Sequence, residues 1–205
     1  MIVKKIVTTN FITNCYLLQN EDAAVIIDPG DNDNRIIEFA KENVQKKDKA
    51  ILLTHCHFDH ILGVDTVRKA FDAPVIISKS EVKGLADANI NMSRLLGGCP
   101  VSVSADKTVE DGDELNFGGE TIEVIATPGH TVGGVCYKLN DMLFCGDTLF
   151  NLSVGRYDLP TANQAMLLES LQKIKNLQGD YTVYSGHGET TTLEFEIQNN
   201  YYLKG

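Results

Sequence analysis

The chain's 205 residues suffice for one substantial hydrophobic core, and a single domain over residues 1–205 is expected. Its composition, 43% hydrophobic and 22% charged, is that of a soluble globular protein, and no apolar run nears the ~20 residues of a membrane helix, so an integral membrane protein is not expected. A formal net charge of −10 argues against nucleic acid as a partner, because phosphate-tracking surfaces concentrate lysine and arginine.

In chain order, Ile2–Thr8, Asn14–Gln19 and Ala23–Asp28 read as three β runs separated by Thr/Asn and Asn-Glu-Asp turn material, a meander. Met1–Thr8 is too polar after Lys5 for a secretory signal, so a cytoplasmic location is the default expectation. Asp28-Pro29-Gly30-Asp31 closes the meander, and Ile36, Ile37, Ala40 and Val44 then mark an amphipathic helix behind Asp and Asn caps. Asp28, at a strand end, is either a carboxylate supporting a nearby site or an ordinary turn residue.

Ala50–Leu53 is a short apolar run of strand type, and Ile61, Val64, Val67, Arg68 and Phe71 follow at helical spacing. Between them stand His55, His57, Asp59 and His60, four metal-binding side chains within six residues. They fall at the carboxyl end of a strand, where open α/β sheets place ligand sites. Three imidazoles and a carboxylate suit zinc, iron or manganese more than calcium or magnesium. Cys56 is expected to turn away from His55 and His57, because successive side chains of an extended segment alternate.

Pro74–Ser78 is another buried-type strand, followed by a polar, helix-compatible stretch to about Ala88. From Asn89 to Cys99 the pattern weakens, and this segment is read either as a mobile piece close to the site or as a packed surface loop. A second β block follows at Glu114–Phe117, Thr121–Ala126, Val135–Leu139 and Met142–Cys145. Asn163–Leu177 reads as a helix with Leu167, Leu171 and Ile174 on one face, Tyr181–Tyr184 as a last strand, and Leu193–Tyr202 as a short terminal helix. The five cysteines, odd in number and without paired spacing, read as reduced thiols, with Cys15 and Cys136 packed in strands.

All five histidines fall in three short motifs: the first cluster, Thr127-Pro128-Gly129-His130-Thr131, and Ser185-Gly186-His187-Gly188. With Asp147 after Phe144-Cys145-Gly146, the ligand-grade set is His55, His57, Asp59, His60, His130, Asp147 and His187. A structural zinc site takes four ligands and favours cysteine, so seven without cysteine point to two divalent metal ions with open positions, Asp147 giving one oxygen to each. Glycines beside the ligands, Gly129, Gly146, Gly186 and Gly188, allow sharp turns and close approach. Two such cations about 3.5 Å apart lower the pKa of a shared water from about 15.7 towards 7 and polarise the group under attack. Hydrolysis then needs no protein nucleophile, and Asp59 is the candidate catalytic residue, orienting the water or accepting its proton.

The motifs also carry a family resemblance. His55-Cys56-His57-Phe58-Asp59-His60 matches the His-X-His-X-Asp-His signature of the metallo-β-lactamase superfamily. Asn14–Leu18, Ile27–Gly30, Thr127–Thr131, Cys145–Phe150 and Ser185–Gly188 resemble its other motifs in the same order, over nearly the whole chain. The resemblance implies an α/β fold, an αββα four-layer sandwich of two β-sheets flanked by helices. It implies one metal on His55, His57 and His130 and a second on Asp59, His60 and His187, with Asp147 between; zinc is expected, with iron or manganese as alternatives.

The presence of His60, and of Asp147 where true β-lactamases of the main subclass carry cysteine, is similar to the glyoxalase II-like branch. Ser153–Pro160 resembles its short bacterial members, with Arg156 and Asp158 as a structural ion pair or a support to the site. A small-molecule acyl thioester, or a related ester, is therefore the expected substrate. Glyoxalase II proper continues past its last metal histidine into a helical region that grips glutathione, whereas this chain ends at Gly205, so glutathione recognition is not implied. Persulfide dioxygenases, which use one iron, also resemble this branch and stand as the alternative, as do superfamily hydrolases of lactones, β-lactams or other esters.

Overall fold

A computed structural model describes residues 1–204. Strands β1 (Ile2–Val7), β2 (Asn14–Gln19) and β3 (Ala23–Ile27) form the expected antiparallel meander. Strands β4 (Asp48–Leu52), β5 (Val75–Ser78) and β6 (Lys107–Val109) extend it in parallel to a six-stranded sheet in sequence order. In the second half β7 (Glu114–Phe117), β8 (Glu120–Ala126), β9 (Val135–Leu139) and β10 (Met142–Gly146) run antiparallel. After a small hairpin of β11 (Leu149–Phe150) and β12 (Ser153–Val154), β13 (Thr182–Ser185) pairs with β10 in parallel and β14 (Thr191–Thr192) closes the edge.

The helices are α1 (Asn34–Glu42), α2 (Phe58–Ile61), α3 (Val64–Phe71) and α4 (Val82–Ala86) in the first half, then α5 (Gln164–Lys175) and α6 (Leu193–Asn199). Their starts follow the capping residues: Asp33, Asn163 and Thr192 each accept a backbone N–H of the first turn. No helix among the described residues is long and apolar enough to cross a membrane.

The strand alternation assigns the layers. On β2, Cys15 and Leu17 pack against Ile36 of α1 and Val67 and Phe71 of α3. Tyr16 and Leu18, on the other face, join Val124, Tyr137 and Phe144 of the second sheet. The outer face of that sheet, through Ile125, Cys136 and Val183, packs on Leu167, Leu171 and Ile174 of α5 and Leu193 of α6. Three apolar layers between four structural ones make the αββα sandwich. Central strands buried on both faces read in sequence as continuous apolar runs.

One local expectation changes, and one open alternative is resolved as the packed loop. The helix after the histidine cluster is broken at Leu62–Gly63, because Gly63 N–H donates to Pro29 O (2.9 Å) and a Cβ there would meet Asp31 O at 2.1 Å. The segment from Asn89 to Cys99 is anchored. Asn91, Met92 and Ser93 are buried, Ser93 Oγ accepts from Val101 N–H (2.8 Å), and Asn91 O accepts from Phe58 N–H (2.9 Å).

Candidate metal centre

All seven ligand-grade side chains converge where the strands of both sheets end. His55 and His57 follow β4, Asp59 and His60 lie in α2, and His130, Asp147 and His187 follow β8, β10 and β13. The two sheets are joined at this edge by Asn14 N–H to Gly186 O (2.7 Å), Val135 N–H to Thr54 O (2.9 Å) and Tyr137 Oη–H to Leu53 O (2.9 Å). His55, His57 and His130 present donor atoms within 4.8 Å of one another, and so do Asp59, His60 and His187. Asp147 stands between the two groups, with Oδ1 3.3 Å from His60 Nε2 and Oδ2 3.5 Å from His130 Nε2 and 3.7 Å from His187 Nε2.

Hydrogen bonds on the outer ring nitrogens set the tautomers. His60 Nδ1–H donates to Asp28 Oδ2 (3.0 Å), His130 Nδ1–H to Arg156 O (2.8 Å) and His187 Nδ1–H to Ile12 O (3.1 Å). Thr54 Oγ1 donates to Asp28 Oδ2 (2.6 Å) and so accepts from His55 Nδ1–H (3.1 Å). These four imidazoles therefore turn an Nε2 lone pair inward. His57 is the other way round, its Nδ1 lying 2.9 Å from His130 Nε2.

The donors fit bound cations. His55 Nε2, His60 Nε2 and Asp147 Oδ1 are buried without a hydrogen-bond partner among the described residues, as is His57 Nε2 on the far edge of its ring. Each such orphan costs about 1–3 kcal/mol unless something compensates it. The His57–His130 and Asp59–His187 pairs (2.9 and 3.1 Å) aim electron-rich atoms at each other. Donors sharing a cation at about 2.0–2.2 Å stand roughly 3 Å apart, so these spacings suit an ion or a proton between them.

Charge among the side chains divides the site. Burial, helped by the neighbouring imidazoles His60 and His57, pushes His55 well below the usual imidazole range. Burial and His130 bring His57 down to about 3. Burial works in the same direction on His60, but Asp147 and Asp59 outweigh it and hold His60 well up. Burial would raise Asp147; the charge on His60, 3.3 Å away, and on His130 holds it well below the carboxylate range instead. His55 and His57 are thus neutral and ready to donate, whereas the carboxylates around His60 favour a positive charge there, a proton or a bound cation.

A cleft of about 390 Å³ opens onto this centre, walled by Phe11, Phe58, Met92, Phe150, Val154 and Leu159. The family model for the metallo-β-lactamase superfamily matches residues 8–187. The chain belongs to the metallo-β-lactamase superfamily. A Bacillus subtilis relative, the probable metallo-hydrolase YqgX, is 40% identical over 196 residues, covering 94% of this chain and 92% of its own. The crystal structure of the BLEG-1 B3 metallo-β-lactamase is 40% identical with a TM-score of 0.91 over 100% of both chains. TTHA1623 in a di-iron-bound form is 33% identical with a TM-score of 0.85, covering 98% of this chain and 100% of its own.

Within this superfamily fold the ligands have supports, one of them, Asp28, among the sequence expectations and others, Thr54 and Glu81, not. Asp28 proves to be a support: buried, with φ at 50°, it accepts from Thr54 N–H (2.8 Å) and Thr54 Oγ1 as well as from His60. Glu81, also buried, accepts from Cys56 N–H (2.8 Å) and Gly133 N–H (2.6 Å), tying the His55–His57 loop to the loop beyond His130. Threonine and glutamate in polar stretches carry no local signal for such roles. Arg156 and Asp158 form an exposed bidentate pair, and only the Arg156 carbonyl supports His130. Cys56 turns into the first apolar layer, Cys136 and Cys145 lie in the outer layer of the second sheet, and no cysteine joins a metal-type cluster among the described residues.

Proposed function

We propose that this superfamily member is a dinuclear metal-dependent hydrolase acting on acyl thioesters. His55, His57 and His130 would hold one cation and Asp59, His60 and His187 the other, with Asp147 shared. The observation that carries this reading is Asp147, whose one carboxylate lies within 3.3–3.7 Å of imidazoles from both ligand groups, His130 of the first and His60 and His187 of the second. Divalent cations bound there would lower the pKa of a shared water towards about 7 and polarise the carbonyl under attack. Zinc is the expected metal, and the di-iron form of TTHA1623 makes iron the next candidate.

The chain's own groups do the rest. Asp59 Oδ2, 3.1 Å from His187 Nε2 and 3.5 Å from Thr13 Oγ1, orients a water between the ligand groups and can accept its proton. Phe11 packs edge-on against Phe58 at 4.8 Å and, with Met92 and Phe150, keeps the cleft apolar around the acyl chain. Apart from the ligand-type residues, only Ser153 and Arg156 are polar among the lining side chains, and Arg156 is paired with Asp158. A thiol of pKa about 8.5 leaves as thiolate without a proton donor, whereas an alkoxide or amine leaving group demands one. This favours thioesters.

β-Lactam hydrolysis is the second reading, favoured by the 40% identity to the BLEG-1 B3 metallo-β-lactamase. A panel of S-acyl thioesters, lactones, β-lactams and a persulfide separates the possibilities. The thioesters should turn over at least about tenfold faster in kcat/KM than the rest, about 1.4 kcal/mol in barrier. Faster β-lactam cleavage, or oxygen uptake on the persulfide without thioester cleavage, would replace this reading.

A further inference from the structure

The cleft at the metal centre does not end there. A second cavity of about 590 Å³ shares Met92, Leu96, Arg156 and Leu159 with it and extends outward past Leu95 to Arg94 and Asp158. The two adjoin through these shared residues, with the ligand groups lining the inner cavity and two guanidinium groups the outer arm. We propose that this outer arm is a subsite for a carboxylate carried on the leaving-thiol side of the substrate, with Arg94 as the residue that binds it. The proposal rests on the thioesterase reading for the inner cavity and names the class of thioester: one with an apolar spacer and a terminal monoanion.

Charge decides the class. The chain carries a formal net charge of −10, yet the outer arm is lined by two arginines against one aspartate. Arg156 is already matched by Asp158, Nε to Oδ1 and Nη2 to Oδ2, both at 2.9 Å. Arg94 has no side-chain hydrogen bond or ion pair with any described residue, so the arm keeps a single uncompensated positive charge, suited to a monoanion rather than a dianionic phosphate. The Arg156–Asp158 fork displays, in the same arm, the bidentate geometry that a substrate carboxylate would adopt on a guanidinium.

The backbone that carries the cation is anchored. Arg94 N–H donates to Ala88 O (3.0 Å), its neighbour Ser93 is buried and bonded to Val101, and Gly97 N–H closes back on Ser93 O (3.0 Å). Leu95 and Leu96, 75% and 53% exposed, offer unpartnered apolar surface between Arg94 and the inner cleft. Exposed leucines flanking an unpaired guanidinium suit an amphiphilic chain, an apolar spacer ending in an acid.

The test uses thioethers, which cannot be hydrolysed. Binding of 8-(methylthio)octanoate, of its primary amide and of the matching alkyl phosphate to metal-free protein is followed by NMR titration, with wild type, Arg94→Gln and Arg94→Lys. The carboxylate should bind about fivefold more tightly than the amide, the size of one exposed charge pair, and no less tightly than the phosphate. Arg94→Gln should erase that preference and Arg94→Lys should restore part of it. Equal binding of acid and amide, or a preference that survives Arg94→Gln, overturns the subsite. So does tighter binding of the phosphate. In the metal-loaded enzyme, thioesters of an ω-mercapto acid and of its amide give the second readout: Arg94→Gln should collapse the acid-to-amide ratio through KM. Thioester turnover without acid selectivity overturns the subsite alone, whereas selective binding without turnover supports the subsite and refutes the thioesterase.

Discussion

Asp28 ends β3 with φ at 50°, a conformation that aspartate and asparagine tolerate better than other side chains. That geometry lets one carboxylate serve Thr54 and His60 at once, so Asp28→Asn keeps the backbone and loses an acceptor. It should weaken metal affinity by about 10- to 100-fold, measured by competition with a chromophoric chelator, and unchanged affinity would contradict the supporting role. Gly186 tests close approach instead. A Cβ there would meet Asp147 Oδ1 at 2.2 Å and His60 Cε1 at 2.6 Å. Gly186→Ala should cost about 1–3 kcal/mol of stability in urea and lower bound metal per chain; full metal content would show that the site relaxes around the methyl group. The convergence of the seven ligand-grade residues was legible because four crowd into six positions and the other three follow strands of the second half. Thr54 and Glu81 were not, since their meaning lies in contacts with distant segments.

At the scale of elements, the strands flanking the histidine motifs were legible from their apolar runs, and the helices from their caps. The break between α2 and α3 was not, because Gly63 is dictated by the 28–31 turn packed against it. Nor was the anchoring of residues 91–97, whose buried asparagine and serine look polar in sequence but satisfy backbone groups at Val101 and within the turn. The short strands β6, β11, β12 and β14 were missed for lack of length. Glu81 carries the sharpest prediction here, since it joins ligand loops from both halves. Glu81→Ala orphans two buried N–H groups at about 1–3 kcal/mol each and should destabilise the fold by roughly 2–4 kcal/mol in urea. Glu81→Gln, which keeps one acceptor, should cost about half as much. A loss under about 0.5 kcal/mol for the alanine variant would mean that the clamp is not needed.

The molecule as a whole is two β-then-α halves that share the layer of Tyr16, Tyr137 and Phe144, with ligand-grade residues drawn from both. Cations held across that edge would bind the folded state only, so chelation should lower its stability. At free metal about a thousandfold above Kd the linkage is about 4 kcal/mol, or roughly 8–16 °C in Tm for a chain of this size. Calorimetry with and without chelator should find a single transition that shifts by that order; an unshifted Tm would contradict metal held between the halves. The central claim is that catalysis needs both ligand groups, joined through Asp147. It is tested most directly by adding zinc or iron(II) in steps to metal-free protein while following thioester hydrolysis. Turnover should rise until two equivalents per chain are bound and stay near background in Asp147→Ala. Full activity at one equivalent, or in the metal-free protein, would contradict it.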